Sequence, residues 1–256
     1  MLRTAIVSLA VVVSSLVPAL WPAAGQQPAR QNVLVELFTS EGCSSCPPAD
    51  LLLIKLQRDQ PVPGVNVITL SEHVDYWNEL GWKDPFSSQA YSHRQMIYAA
   101  MLHQQQPYTP EMFVDGKYGF AGSDYGEALS KIRASASQPK ANIAISVQRS
   151  ANQVTLKGKL AFAKGVELQK STLYAAVVED NLRSDVSAGE NEGHVLTHSS
   201  VVRELLKVGE FGNSTSEDFE QSIKIDPAWK QHELRVVVFA ESAKTKATVA
   251  AAEVKL

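Results

Sequence analysis

The sequence has little cysteine: Cys43 and Cys46 are the only two among 256 residues. Two cysteines three positions apart cannot supply the framework of several disulfides that holds small secreted scaffolds together. A disulfide between them would close a very short loop, whereas a structural disulfide stabilises most when it closes a long one. The pair therefore indicates reactive rather than purely structural chemistry.

Strong charge of either sign is also missing. The formal net charge is −3, charged residues make up 20% of the chain, and no cluster of lysine and arginine occurs. The composition therefore gives no reason to expect a nucleic-acid partner or an acidic lipid surface. Patterns typical of serine hydrolases, zinc proteases and phosphate-binding loops are absent from the sequence as well.

The N-terminus has the pattern of an export signal. Arg3 precedes an apolar run from Ala5 to Leu20, and the small residues Ala23 and Gly25 suit cleavage by signal peptidase. A retained membrane anchor is the alternative, but the run is shorter than the roughly 20 residues that a span needs. We therefore predict a signal peptide at residues 1–25, a periplasmic or secreted mature protein, and no membrane span after cleavage.

Residues 32–138 are predicted to form an α/β domain with the element order β-α-β-α-β-β-α. The first strand, the helix that follows Cys46 and the second strand form a βαβ unit, whose two strands should be parallel. Asp84-Pro85 suggests the start of the second helix, and Ser123 or Asp124 can cap the third. The predicted elements are strands at 32–39 and 65–70, a helix within 87–103, a hairpin at 112–121 and a helix at 125–136.

Residues 139–256 show a different pattern, with short runs of alternating polarity separated by loops. Seven such runs predict an all-β sandwich as a second domain. The boundary should lie near residues 137–142. The predicted strands are 143–147, 154–162, 173–178, 195–206, 219–225, 234–239 and 249–254.

The cysteines occur as C-x-x-C between a strand and the start of a helix. A thiol at a helix N-terminus faces unpaired backbone N–H groups and the positive end of the helix dipole, which favour the thiolate. We expect Cys43 to be the attacking and more exposed thiol, and Cys46 to resolve the mixed disulfide. C-x-x-C also occurs in metal sites, so its position in a βαβ unit carries most of the argument.

Together with Thr109-Pro110 before the third strand, this arrangement resembles the thioredoxin superfamily, with the closest similarity to its glutaredoxin-like and periplasmic disulfide-oxidant branches. The resemblance implies a thioredoxin-like, glutaredoxin-like core with a helical insertion. It also implies that Pro110 is a cis-proline against the dithiol and that Thr109 contacts substrate. The dipeptide Ser44-Ser45 departs from the motifs of thioredoxins and strong oxidants, which leaves the direction of electron flow open.

A narrower resemblance rests on the string from Leu37 to Asp50, on His73-Val74-Asp75-Tyr76-Trp77 and on Tyr108-Thr109-Pro110. These segments look like those of an uncharacterised family of exported bacterial proteins, classed as a domain of unknown function with a thioredoxin-like fold. The resemblance covers most of the mature chain. It implies the fold and says little about the activity.

The loop after the second strand should emerge at the carboxyl edge of the sheet, where Cys43 also lies. The candidates for lining the dithiol there are Glu41, His73, Asp75, Tyr76 and Trp77. A histidine at that place would stabilise the thiolate or carry a proton. The alternative is that the aromatic residues pack the insertion onto the sheet while the polar residues cap turns.

Three functions remain open from the sequence. The favoured one is a thiol–disulfide oxidoreductase that acts on protein thiols or disulfides in the exported compartment and needs no cofactor. The second is a copper-binding assembly factor using Cys43, Cys46 and His73, because soft thiolates with an imidazole suit Cu(I). The third is a binding module without redox turnover, and the oligomeric state stays open in all three.

No standard metal site is predicted elsewhere in the sequence. The segment 190–194 and His198 contain carboxylates and histidines, but their spacing matches no standard zinc site. We interpret these residues as a solvated loop and the strand beside it.

Overall fold

The structure is a computed structural model that describes residues 30–256. The predicted signal peptide, residues 1–25, lies outside the described residues. Between residues 30 and 256, no helix has the length and apolar character needed to cross a membrane. These residues form a mixed α/β fold that is mostly sheet, with thirteen strands and three α-helices.

The first half of the described chain alternates strands and helices in the predicted order. Strands β1 and β2 are parallel and are connected by α1, whereas β3 and β4 form an antiparallel hairpin. The elements are β1 (Gln31–Thr39), α1 (Pro47–Asp59), β2 (Val65–His73), a 3-10 helix (Asn78–Leu80), α2 (Gln89–Met101), β3 (Glu111–Val114), β4 (Tyr118–Ala121) and α3 (Tyr125–Ala136).

The second half consists of strands alone. One predicted strand, 195–206, is in fact two, because the backbone at Ser200 takes the left-handed conformation with φ of 61° and interrupts the run. A further short strand, β8, was not predicted. The strands are β5 (Asn142–Ser150), β6 (Gln153–Ala161), β7 (Ser171–Glu179), β8 (Leu182–Asp185), β9 (Val195–His198), β10 (Val201–Phe211), β11 (Ser216–Lys224), β12 (Leu234–Ser242) and β13 (Thr248–Lys255).

Both halves contribute to one eight-stranded mixed sheet, in the order β13-β12-β7-β10-β2-β1-β3-β4. The halves meet where β2 and β10 run parallel, and there the Ser71 N–H donates to the Ser200 carbonyl at 2.7 Å. Strands β11, β6 and β5 form a second sheet, and β8 pairs with β9 as a separate hairpin. The predicted boundary between residues 138 and 139 falls between α3 and β5, and the large sheet includes strands from both sides of it.

Helices cover both faces of the sheet around β1. Every residue of β1 from Val33 onward is buried, as expected for a parallel strand with helices on both sides. Since side chains alternate along a strand, Val35 and Leu37 pack toward α1 and α3, whereas Leu34 and Phe38 pack toward α2. The end of β1, from which the cysteine loop emerges, is thus fixed from both faces.

A different apolar cluster joins the second sheet to the large one. It contains Leu156 and Ile223 from the three-stranded sheet, together with Leu173 and Val236 from the large sheet. All four of these side chains are at most 2% exposed. The C-terminal strands thus build two sheets that share one core.

Two predicted details of the segment after β2 are wrong. Strand β2 extends to His73, so that residue ends a strand and does not belong to a loop. Helix α2 begins at Gln89 rather than at Asp84-Pro85, and the Ser88 hydroxyl caps it by accepting from the Ala90 N–H. One oxygen of the Asp84 carboxylate binds His73 and the Glu41 N–H, and the other accepts from the Phe86 N–H in a turn that does not continue as a helix.

The N-cap of α3 provides a test of the local structure. Asp124 occupies the cap, and its carboxylate accepts from the Glu127 N–H at 2.9 Å. We expect Asp124→Ala to lower the free energy of unfolding by about 1 kcal/mol, because one amide of the first turn loses its partner. Urea denaturation measures this change. Ser123→Ala, at an exposed neighbour, is the matched control; an equal loss there would contradict the assignment.

Candidate functional site

The two cysteines form a disulfide in the turn that leads from β1 into α1. Cys46 is the N-cap residue of α1, and its carbonyl accepts from the N–H groups of Ala49 and Asp50. Pro47, the first residue of the helix, lacks an N–H that would need a partner. The disulfide thus lies at the positive end of the helix dipole, where a thiolate released by reduction is favoured.

Both cysteines are completely buried, each with 0% of its surface exposed. The expectation that Cys43 is the more exposed of the two is therefore wrong. The two residues between them, Ser44 and Ser45, are exposed. The turn thus reaches the surface while its sulfur atoms are covered.

The loop between β8 and β9 is hydrogen-bonded to the backbone of this turn. Asn191 donates from its side-chain amide to the carbonyls of Glu41, at 2.8 Å, and Cys43, at 3.0 Å. The Glu190 carboxylate accepts from the Ser44 N–H at 2.9 Å, and this hydrogen bond lowers the pKa of Glu190. A loop nearly 150 residues away in sequence is thereby fixed to the cysteine turn.

This finding corrects the interpretation of segment 190–194 and His198 as a solvated loop and strand. Asn191 and His198 are buried, although Glu190 and His194 remain exposed. A sequence signal for His198 exists, because period-two alternation in β9 places it on the same face as the buried Leu196. Nothing in the local sequence marks Asn191.

Behind the cysteine turn lies a cluster of buried ionisable side chains. His73 Nδ1 donates to Asp84 Oδ2 at 2.7 Å, and the same Asp84 oxygen accepts from the Glu41 N–H at 2.8 Å. The Glu41 carboxylate accepts from Trp82 Nε1 at 2.8 Å and lies 3.1 Å from His198 Nε2. The cluster thus connects β1, the segment after β2, and β9.

The two histidine rings in this cluster face each other edge to face, with centroids 4.9 Å apart. Asp50, from the first turn of α1, is buried on the same side, with one oxygen 3.8 Å from His198 Nδ1. Within residues 30–256, His73 Nε2 and one oxygen of Asp50 have no hydrogen-bond partner. The cluster therefore retains unused capacity to accept or donate a proton.

Burial and the neighbouring charges shift the pKa values of these groups in opposite directions. Burial alone would lower the pKa of His73, but the neighbouring carboxylates, with Asp84 the largest contributor, together outweigh it and raise that pKa. Burial would raise the pKa of Asp84, yet His73 and two backbone N–H groups lower it. For Asp50 burial prevails over the nearby histidines, so its pKa is raised. The cluster thus favours a charged His73–Asp84 pair next to a carboxyl group that resists ionisation.

Thr109 and Pro110 lie on the other side of the turn, and the peptide bond between them is cis, as the resemblance implies. A Cβ placed on Gly122 would come within 3.1 Å of both Pro110 and Ala49, so the proline is close to the first turn of α1. Thr109 accepts a hydrogen bond from Trp77 Nε1 at 2.7 Å. Whether these two residues bind substrate stays a prediction.

The candidate lining residues lie in three different places. Trp77 packs directly on Gly42, since a Cβ there would meet the Trp77 Cβ at 3.2 Å. Asp75, in contrast, bonds to the Ser92 hydroxyl, and the Tyr76 hydroxyl donates to Gln95, both on α2. Trp77 therefore contacts the cysteine turn directly, and Glu41 and His73 belong to the buried cluster behind it. Asp75 and Tyr76 instead join the segment after β2 to α2.

The copper alternative has little support in this geometry. Among residues 30–256, no group of three or more histidine, cysteine or acidic side chains is arranged to hold a metal ion. Cys43 and Cys46 are bonded to each other and offer no thiolate in this oxidised form.

The His73–Asp84 pair predicts a pH-dependent stability. The raised pKa of His73 means that its stabilisation is complete below the unfolded value of about 6.5 and is lost as the pH rises through the folded value. Without the Asp84 carboxylate we expect burial to oppose protonation, although Asp50, Glu41 and the His198 ring also face the cluster. Asp84→Asn should thus lower the free energy of unfolding by about 3 kcal/mol, and by more at about pH 6 than at about pH 8.

Chemical denaturation across this pH range measures both effects. The matched control is Asp185→Asn, at a carboxylate whose side chain is 79% exposed and which should change stability little. A loss that is the same at both pH values would show that the pair is not charged as described.

Residues 34–241 match the model of a family described as "Protein of unknown function (DUF1223)". The chain is similar to a protein from Agrobacterium tumefaciens with a crystal structure, at 25% identity over 89% of this chain and 95% of that one, with a TM-score of 0.66. A domain of the outer membrane lipoprotein Omp28 from Porphyromonas gingivalis matches at 16% identity over 46% of this chain and 88% of that one. Its TM-score of 0.33 is too low to support an argument. No functionally curated protein matches the chain.

Proposed function

Because the chain belongs to the DUF1223 family of proteins of unknown function, we propose an activity from its own site: thiol–disulfide exchange through Cys43 and Cys46. The observation that carries this proposal is a disulfide of three-residue spacing at the N-terminus of α1, directly after the first strand. A bond that closes so short a loop adds little stability by restricting the unfolded chain. A role in exchange explains its place at the helix dipole better.

We further propose that residues 32–138 form a thioredoxin-like core. Support comes from the element order and from the sheet order β2-β1-β3-β4, with β1 parallel to β2 and antiparallel to β3. The position of Pro110 next to the first turn of α1 also fits that architecture. Helix α2 and the segment before it would be the insertion into the core.

In the proposed reaction, a substrate thiolate attacks the Cys43 sulfur, and the Cys43–Cys46 bond breaks as Cys46 leaves with the electron pair. A second substrate thiol then attacks the mixed disulfide and releases Cys43. The substrate becomes a disulfide, while the dithiol gains two electrons and two protons. The reverse sequence reduces a substrate, and no cofactor takes part in either direction.

The substrates proposed are protein thiols or disulfides in the periplasm or outside the cell. A Cys43–Cys46 disulfide is compatible with an oxidising compartment, and the N-terminal sequence pattern points to export. The other candidate function is a binding module in which the disulfide does not turn over. The complete burial of both sulfur atoms favours that alternative.

Two single substitutions test the exchange reaction. Cys43→Ser should abolish the transfer of disulfides to a reduced test protein, because the sulfur that forms the mixed disulfide is gone. Cys46→Ser, given a test protein that contains a disulfide, should instead accumulate a mixed disulfide, because the Cys43 thiolate attacks that disulfide and the resolving thiol is missing. Gel mobility under non-reducing conditions distinguishes the two results. Equal exchange by Cys43→Ser and the unaltered chain would rule out the assignment.

The reduction potential of the pair separates the two candidate functions. In a series of glutathione buffers read by thiol alkylation, a value near or above about −200 mV would mark an exchangeable bond. A value below about −300 mV, together with no exchange activity, would favour the binding module. Neither result depends on knowing the natural substrate.

A further inference from the structure

The sulfur atoms cannot be attacked in the arrangement that the structure shows. An incoming thiolate must approach a sulfur from outside, and both cysteines have no exposed surface. The serines between them are exposed, so the obstruction is local to the sulfur atoms. Exchange through Cys43 therefore needs a movement of whatever covers it.

The element bonded to the backbone on either side of the Cys43 sulfur is the hairpin of β8 and β9 with its connecting loop, residues 186–194. This loop is ordered by its own backbone bonds, because Val186 exchanges hydrogen bonds with Gly193 and His194, and the Glu192 N–H donates to the Gly189 carbonyl. It can therefore move as a unit rather than unravel. At its base, Leu182 pairs with His198 in the hairpin ladder.

Few polar bonds hold the tip of this loop to the cysteine turn. They are the two bonds from Asn191 and the single bond accepted by Glu190. Gly189, whose φ is 77°, adds close packing, because a Cβ there would meet the Trp82 Cβ at 3.1 Å. The outer side of the loop is open to solvent, with the residues Glu192, Gly193, His194 and Val195 all exposed. Within residues 30–256, no outer layer of the protein blocks an outward movement.

We propose that this hairpin loop is a gate over Cys43, and that Asn191 is the residue that sets which substrates reach the thiol. A small thiol reagent needs only a slight opening, whereas a polypeptide must displace the loop. The inference rests on the proposed exchange function and narrows its substrate class: extended or unfolded segments able to displace the loop, rather than the rigid surface of a folded protein.

The side-chain amide of Asn191 explains why this residue would hold the loop in its closed position. Its amide presents two N–H donors, and each meets a backbone carbonyl, of Glu41 and of Cys43. In Asn191→Asp the side chain keeps its shape but loses both donors, and its carboxylate oxygen would face carbonyl oxygens. Asn191→Ala removes the contact without adding charge. Both variants should therefore weaken the closed position.

The test measures access to the Cys43 thiol in full-length protein carrying Cys46→Ala, so that Cys43 is the only cysteine present. Two probes with the same reactive group are compared: N-ethylmaleimide, and a maleimide carried on a long polyethylene glycol chain. With Asn191 in place, the small probe should react much faster than the large one. Asn191→Ala and Asn191→Asp should raise the rate of the large probe about tenfold and that of the small probe much less.

The decisive quantity is the rate of the small probe divided by the rate of the large probe. A change in the pKa of Cys43 would alter both rates by the same factor, and so leave the ratio unchanged. Glu192→Gln, at an exposed neighbour in the same loop, is the matched control and should not change it. Glu190→Ala, also at an exposed position, should lower the ratio by a smaller factor and serves if the Asn191 variants fail to fold.

A ratio near one in the chain with Asn191, or one that none of the Asn191 and Glu190 variants changes, would overturn the gate. This outcome is distinct from failure of the exchange function, because alkylation requires neither turnover nor a particular reduction potential. A gate with no exchange activity would leave the inference on access intact and refute the oxidoreductase proposal.

Discussion

The hydrogen bonds of Glu41 are the constraint on which the cysteine turn depends. Its N–H is bound by Asp84, its carboxylate by Trp82 and His198, and its carbonyl by Asn191. A buried carboxylate is tolerated only when such partners are present, since its desolvation costs several kcal/mol. All four partners lie at least forty residues away along the chain. The geometry around the dithiol is thus a property of the whole fold rather than of the C-x-x-C motif.

The large sheet has a second buried charged group with partners distant in sequence, on the side covered by α2. Arg94 lies within 3.4 Å of carboxylate oxygens of Glu36, Glu72 and Glu241, which come from β1, β2 and β12. One guanidinium cannot neutralise three carboxylates, and burial followed by the neighbouring acids raises the pKa of Glu72 well above its ordinary value. Both buried polar clusters bind C-terminal strands to the first half, so the halves are joined by charge as well as by the strand pairing of β2 and β10.

The local part of this structure was predictable from sequence and the long-range part was not. The hydrophobic run of β1, the helix after Cys46 and the Asp124 cap of α3 follow from residue patterns a few positions long. The bond from Asn191 to the Cys43 carbonyl does not, because its donor lies 148 residues away. Periodicity shows which face of an element is apolar, but not which distant loop covers it. The same limit explains why the sequence suggested a separate C-terminal sandwich, when four of its strands extend the first sheet.

The free-energy cost of burying these polar groups is a further argument for the proposed exchange function. The buried pair of His73 and Asp84 is weak evidence for stability, because replacing a buried ion pair by packed hydrophobic groups is often neutral or favourable. The disulfide of three-residue spacing does not compensate for that cost, since it restricts the unfolded chain little. Proteins keep such expensive arrangements mainly where chemistry needs them. Here the effect is to place the Cys43 sulfur between a helix N-terminus, which favours the thiolate, and a sealed environment, which disfavours it. Opening that environment would shift this balance toward the thiolate, so access and reactivity would change together.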